Sequence, residues 1–186
     1  MEKRLVQKNK KAGLTISDVI LVGVLLATGA VLKFFVGSMF NAGMKPNFII
    51  AMYCLAILII KPRLSEAIII GIIAGAICQV FPGTPYINII SEPLGALVMA
   101  LLISLPIKFR AYSLLKPVLA TFLSTLASGL TYLGVLYIAF YAGADVKAIP
   151  FNMFSIIILA TALANAVIVQ ILYIPVKLAL GRGRDD

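Results

Sequence analysis

Six stretches of this chain are nearly free of charge, and its polar residues gather in the short segments between them. The apolar runs cover 16–37, 46–60, 64–81, 91–106, 114–141 and 150–178. As helices rising about 1.5 Å per residue, most are long enough, or nearly so, to cross roughly 30 Å of hydrocarbon. The pattern predicts an all-α integral membrane protein with six transmembrane helices. The second run is the shortest, because Pro46 and Pro62 bracket it. It offers only about 22 Å of helix.

Composition agrees with that reading. Apolar residues make up 62% of the 186 positions and charged residues 12%, about half the charged share of a soluble domain. Cys54 and Cys78 fall inside apolar runs and read as small hydrophobes. The first run follows five basic residues but lacks a small-residue cleavage site, and five further runs follow it, so it reads as a span and not a cleaved leader. The expected organisation is a cytoplasmic basic arm over 1–15, a six-helix transmembrane domain over 16–180 and a cytoplasmic tail over 181–186.

Charge fixes the expected orientation. With both termini inside, thirteen of the sixteen Lys and Arg residues fall in cytoplasmic segments, leaving Lys45 and Lys147 outside and Lys33 within the first span. This positive-inside bias predicts an N-in, C-in topology. The net charge of +9 then serves orientation and attraction to anionic lipid, and implies no nucleic-acid partner.

The expected outer side collects the unusual residues. Between the third and fourth runs lies PGTPYINIISEPLGAL, Pro82 to Leu97. Non-helical backbone near membrane depth must be buried in protein or line a polar cavity, since lipid cannot satisfy its amides. Pro82 and Pro85 break the third helix, and Pro93 suits the first turn of a fourth helix over Leu94 to Leu105. Glu92 then either caps that helix at a wet interface, favoured by the helix dipole, or faces a pocket where it holds a substrate ammonium. Lys33, near the outer end of the first helix, either snorkels to the headgroups or turns inward to pair with a substrate carboxylate or with Glu92. A lysine for the carboxylate and a glutamate for the ammonium together make an amino-acid clamp.

Further polar groups recur at helical spacing. Thr121, Ser124, Thr125, Ser128, Thr131 and Tyr132 mark one side of the fifth helix, where small hydroxyl residues commonly mediate packing. Gln79 and Asn152 share the expected level of Glu92 and are candidate pocket residues, and Asn165 is either interhelical glue or a pocket floor. In the first helix Gly23, Ala27 and Ala30 or Gly29 form a smooth face that permits close contact with another helix, inside the bundle or outside it.

Two segments, NFIIAMYCLAILIIKPRLSEAIIIGIIAG and TPYINIISEPLGALVMALL, resemble the tryptophan S-component family of the bacterial energy-coupling factor transporters. The resemblance extends over nearly the whole chain in length, layout and orientation. It implies a small bundle in the cell membrane that captures L-tryptophan from outside, then associates with a transmembrane coupling protein and two cytoplasmic ATPases. It implies that Gly23, Ala27 and Ala30 contact the coupling protein, although GVLLATGA departs from an alanine-only pattern. It also places Met39, Asn41, Asn88, Glu92 and Asn152 near the ligand, under the first outer loop.

Other chemistry finds little support. The chain has no GxxxxGK[ST] phosphate loop, so ATP hydrolysis belongs to separate subunits. It has no histidine, and its two cysteines are far apart, which argues against a zinc site or a Cys/His nucleophile; no cofactor is expected. Glu66 and Glu92 fall on opposite sides of the membrane, which argues against a paired-carboxylate active site. The chain therefore reads as no enzyme. An S-component for another aromatic or vitamin-like ligand, a self-associating permease and a purely structural membrane protein remain as alternative readings.

Overall fold

The computed structural model describes residues 13–39, 46–106, 110–147 and 150–181, with side chains of 36–39 and 110–114 outside the description. Six helices follow in order: α1 Ile16–Met39, α2 Ile49–Ile60, α3 Leu64–Cys78, α4 Ile87–Ser104, α5 Arg110–Tyr141 and α6 Phe151–Ala179. Four of them, α1, α4, α5 and α6, are long and apolar enough to cross a membrane. The expectation of six spanning helices is thus met in helix number, while α2 and α3 fall short in length. Their 12 and 15 residues correspond to about 18 and 22 Å.

The shortness of α2 has a structural reason. It packs against all five other helices, and every residue from Ile49 to Ile59 is buried. A helix that is apolar all round is one enclosed on all sides. Here protein, not lipid, encloses it, so its length need not match the bilayer. The turn after it is tight: Lys61 adopts a left-handed conformation, and Glu66 reaches back to accept a hydrogen bond from the Arg63 N–H at 2.8 Å. That bond occupies a free amide at the start of α3.

The α3–α4 connection departs from expectation. Helix α4 begins at Ile87, directly after Tyr86 in a left-handed conformation, so Pro93 lies inside the helix and not in its first turn. Gln79 ties the two helices together. Its Oε1 accepts from the Tyr86 N–H at 2.9 Å, and its Nε2 donates to the Gly75 carbonyl at 3.1 Å. At this interior proline α3 lies unusually close. A β-carbon on Gly71 would stand 2.5 Å from Pro93 Cα, and one on Gly75 would stand 2.5 Å from the Asn88 carbonyl oxygen. The stretch GIIAG is thus a small-xxx-small contact that seats α3 on the α4 backbone. On its other side α4 presses on α2 and α5, where a β-carbon on Gly95 would collide with the Tyr53 hydroxyl and approach Ser128 Cβ to 2.9 Å. Glu92 sits between these two close approaches, so its backbone is held from both sides.

Candidate functional site

The end of the bundle that carries the α1–α2, α3–α4 and α5–α6 connections contains a cavity of about 630 Å³, within the range of small-molecule sites. Its two walls differ in character. One, from α1 to α4, presents Lys33, Asn47, Cys78, Gln79, Asn88 and Glu92; the other, from α5 and α6, presents Gly129, Tyr132, Met153, Phe154, Ile157 and Ile158. Thr125, Ser128 and Thr161 lie at the inner edge of the second wall, and Asp145 and Lys147 border the cavity from the α5–α6 loop.

Glu92 is the deepest charged group, with only 1% of its surface exposed. Asn47 Nδ2 donates to its Oε1 at 2.8 Å, and Ser128 Oγ donates to its Oε2 at 3.1 Å. Both carboxylate oxygens therefore meet neutral donors, which offsets part of the cost of burial. Glu92 lies within α4, lining the cavity, and is not a cap at a wet interface.

Lys33 also turns inward, with 7% exposure. Its Nζ approaches Cys78 Sγ at 3.4 Å and stands 5.0 Å from the centre of the Phe81 ring, a cation–π distance. Among the described residues it makes no direct ion pair with Glu92. Cys78 and Asn47 stand between the two charges, with Asn47 Nδ2 3.5 Å from Cys78 Sγ. Asn47 is itself anchored from behind, since Asn165 Nδ2 donates to its backbone carbonyl at 3.1 Å and also approaches Thr125 Oγ1 at 3.4 Å.

The sequence-derived candidates fall into distinct places. Lys33, Gln79, Asn88 and Glu92 line the cavity. Gln79 is committed on both ends of its amide to the α3–α4 connection, whereas Asn88 lies one helical turn before Glu92. Asn165 is fully buried behind the wall and holds Asn47. Asn152 lies off the cavity, exposed at the start of α6, where its Oδ1 accepts from the Met153 N–H at 2.8 Å. The Met39 side chain and Asn41 lie outside the described residues. On α1, Gly23 and Ala27 are exposed and Ala30 is half-buried, and nothing lies within 4 Å of a β-carbon built on Gly23.

Sequence reasoning passed over Asn47, Cys78 and Ser128. Cys78 looked like a hydrophobe because it lies inside an apolar run, and Ser128 looked like one of several packing hydroxyls. Ser124 does take that packing role, donating to the Gly95 carbonyl at 2.8 Å. The available signal for Asn47 was its place immediately after Pro46, at the mouth of a helix too apolar to need a polar neighbour. Among the described residues no group of three His, Cys, Asp or Glu side chains is placed to hold a metal ion.

An apolar bundle holding a cavity with a buried lysine and a buried glutamate fits a class: a multi-pass membrane protein with room for a small molecule. Comparison with known sequences makes the family specific. The profile of the family described as Tryptophan transporter TrpP matches residues 15–181, and this chain belongs to that family. It is 28% identical over 138 residues to a "Probable tryptophan transport protein" of Clostridium acetobutylicum, covering 73% of this chain and 77% of that one. It is 27% identical over 168 residues to a protein of the same description from Bacillus subtilis, covering 89% and 93%. No solved structure matches the chain. The family and the apolar helices identify a multi-pass transport protein of the bacterial membrane, of the S-component type that the sequence segments resemble.

Proposed function

We propose that this chain captures extracellular L-tryptophan and serves its uptake as the substrate-binding subunit of an ATP-driven energy-coupling factor transporter. The observation that carries the reading is the pair of buried charges, Lys33 and Glu92, on one wall of a cavity whose other wall is aromatic and aliphatic. A zwitterionic amino acid carries one charge of each sign and is neutral overall, as this pair is. The α-ammonium takes the place of Asn47 Nδ2 at Glu92, and the α-carboxylate meets Lys33 Nζ. The ring then lies against Tyr132 and Phe154, with Asn88 available to the indole N–H.

The orientation follows from the distribution of charge. With the N- and C-termini inside, the cavity lies toward the outer surface. Family membership implies a transmembrane coupling protein and two cytoplasmic ATPases as partners. The face of α1 that carries Gly23, Ala27 and Ala30 is open to such a contact.

The test uses the absence of tryptophan from the chain. Under excitation that misses tyrosine, the emission and anisotropy of added L-tryptophan report binding to purified protein directly. A saturable blue shift with raised anisotropy supports the reading. A flat titration of folded protein removes tryptophan as the ligand.

A further inference from the structure

The cavity-facing strips of α5 and α6 run antiparallel and place residues at three matching levels, or rungs. At the outer rung Tyr132 stacks on Phe154, with ring centres 5.6 Å apart and planes 22° apart. At the inner rung are Thr125 and Thr161, both on the cavity. Between them Gly129 faces Ile158. A β-carbon at position 129 would stand 2.8 Å from Ile158 Cγ2 and 2.9 Å from Ile158 Cγ1. Both residues line the cavity, so Ile158 occupies the space that any other residue at 129 would take.

Those two carbons sit at the root of a β-branched side chain, which is stiff at χ1. Ile158 is also buried in a cluster with Ile87, Leu133, Leu136 and Phe154. It cannot swing aside, and a methyl group at 129 displaces it, or the α6 backbone that carries it. The three-rung register therefore makes the shape of the apolar wall depend on the absence of one β-carbon.

We propose that Gly129 is a specificity-determining residue. Its missing side chain lets Ile158 lie back against α5, and the recess left beneath the Tyr132–Phe154 pair selects a two-ring aromatic side chain over a single ring. The inference rests on the reading that the ligand is an aromatic amino acid. L-Tryptophan and L-phenylalanine share the ammonium and carboxylate that Glu92 and Lys33 meet. Only the ring differs, so the recess acts on the ratio of their affinities.

The experiment measures both affinities by calorimetry on the purified full chain, for the wild type, Gly129→Ala and Gly129→Ala/Ile158→Ala. Gly129→Ala is expected to weaken L-tryptophan tenfold or more and to change L-phenylalanine less than threefold. The double variant, which removes both γ-carbons that the new methyl strikes, is expected to regain most of the lost tryptophan affinity. Equal loss for both ligands, no loss for either, or a double variant as poor as the single one overturns the assignment of Gly129. A folded wild type that binds neither amino acid overturns the tryptophan reading itself, a result separate from an unchanged ratio in a chain that binds.

Discussion

Glu92 touches Asn47 and not Lys33. The 2.8 Å bond from Asn47 Nδ2 to Glu92 Oε1, with Cys78 beside it, separates the two buried charges of the cavity. A direct Lys33–Glu92 pair would satisfy both groups and leave neither to a ligand. With a neutral amide against the carboxylate, and a thiol and a ring against the ammonium, each charge has a partner that an ion of opposite sign outcompetes.

Glu92→Gln tests the carboxylate. Glutamine keeps the shape of the side chain; its Oε1 can still accept from Asn47 Nδ2, and its Nε2 can donate to the Ser128 hydroxyl in a reversed bond, but it loses the charge that meets an ammonium. L-Tryptophan affinity is expected to fall at least tenfold, which corresponds to about 1.4 kcal/mol, with the thermal midpoint little changed. Ligand anisotropy and a thermal melt together check it. Unchanged affinity removes Glu92 from the ammonium site.

Lys33→Met tests the other pole, and tryptamine makes the test specific. Tryptamine lacks the carboxylate, so the wild type is expected to bind it more weakly than tryptophan. In Lys33→Met that preference is expected to shrink to within about threefold, because the group that read the carboxylate is gone, a coupling of roughly 1–2 kcal/mol. A preference that survives in full assigns the carboxylate to another partner.

Gly71→Ala tests how Glu92 is positioned. The added β-carbon would stand 2.5 Å from Pro93 Cα and 2.8 Å from the Glu92 carbonyl oxygen, and backbone cannot yield as a flexible side chain does. Helices α3 and α4 must separate, at a cost of about 1–3 kcal/mol. A lower thermal midpoint together with weaker ligand binding is expected. Gly23→Ala has no neighbour to displace and is expected to leave the midpoint unchanged or slightly raised, since alanine favours a helix over glycine by up to about 1 kcal/mol.

Asn165→Ala tests the support behind Asn47. It leaves the Asn47 carbonyl and the Thr125 hydroxyl without their shared donor, a loss of roughly 1–3 kcal/mol for buried groups. Thermal stability is expected to fall, whereas ligand affinity is expected to hold or rise, because the ammonium displaces Asn47 from Glu92 and a less firmly held Asn47 competes less. A midpoint equal to that of the wild type contradicts the anchoring role.

Much of this architecture was legible in the sequence, and the exceptions are informative. The apolar runs placed all six helices, and α5 and α6 matched their runs within a few residues. Helix α4 started earlier than Pro93 suggested: it runs from Ile87 through Pro93, at the level where Gly71 and Gly75 bring α3 against its backbone. The same two glycines stand in the sequence as GIIAG, a small-residue spacing of the kind that also occurs in the first helix, where Gly23 and Ala27 are exposed. Asn152 shared its expected depth with Glu92 and still points away from the cavity, since depth along a helix says nothing about direction around it.

What the sequence determined by itself is the membrane character, the number of helices, the two charges placed against the hydrocarbon trend and the family. Each of these follows from transfer free energies along the chain, which a linear pattern records. The tertiary structure decided which faces look inward, that α2 is wrapped by protein, and that Asn47 and Cys78 stand between Lys33 and Glu92. The physical reason is that lipid and protein interior are both apolar. Hydrophobicity therefore reports that a residue leaves water without reporting which of the two it enters, and only the close helix contacts at Gly71, Gly75 and Gly95 settle the choice.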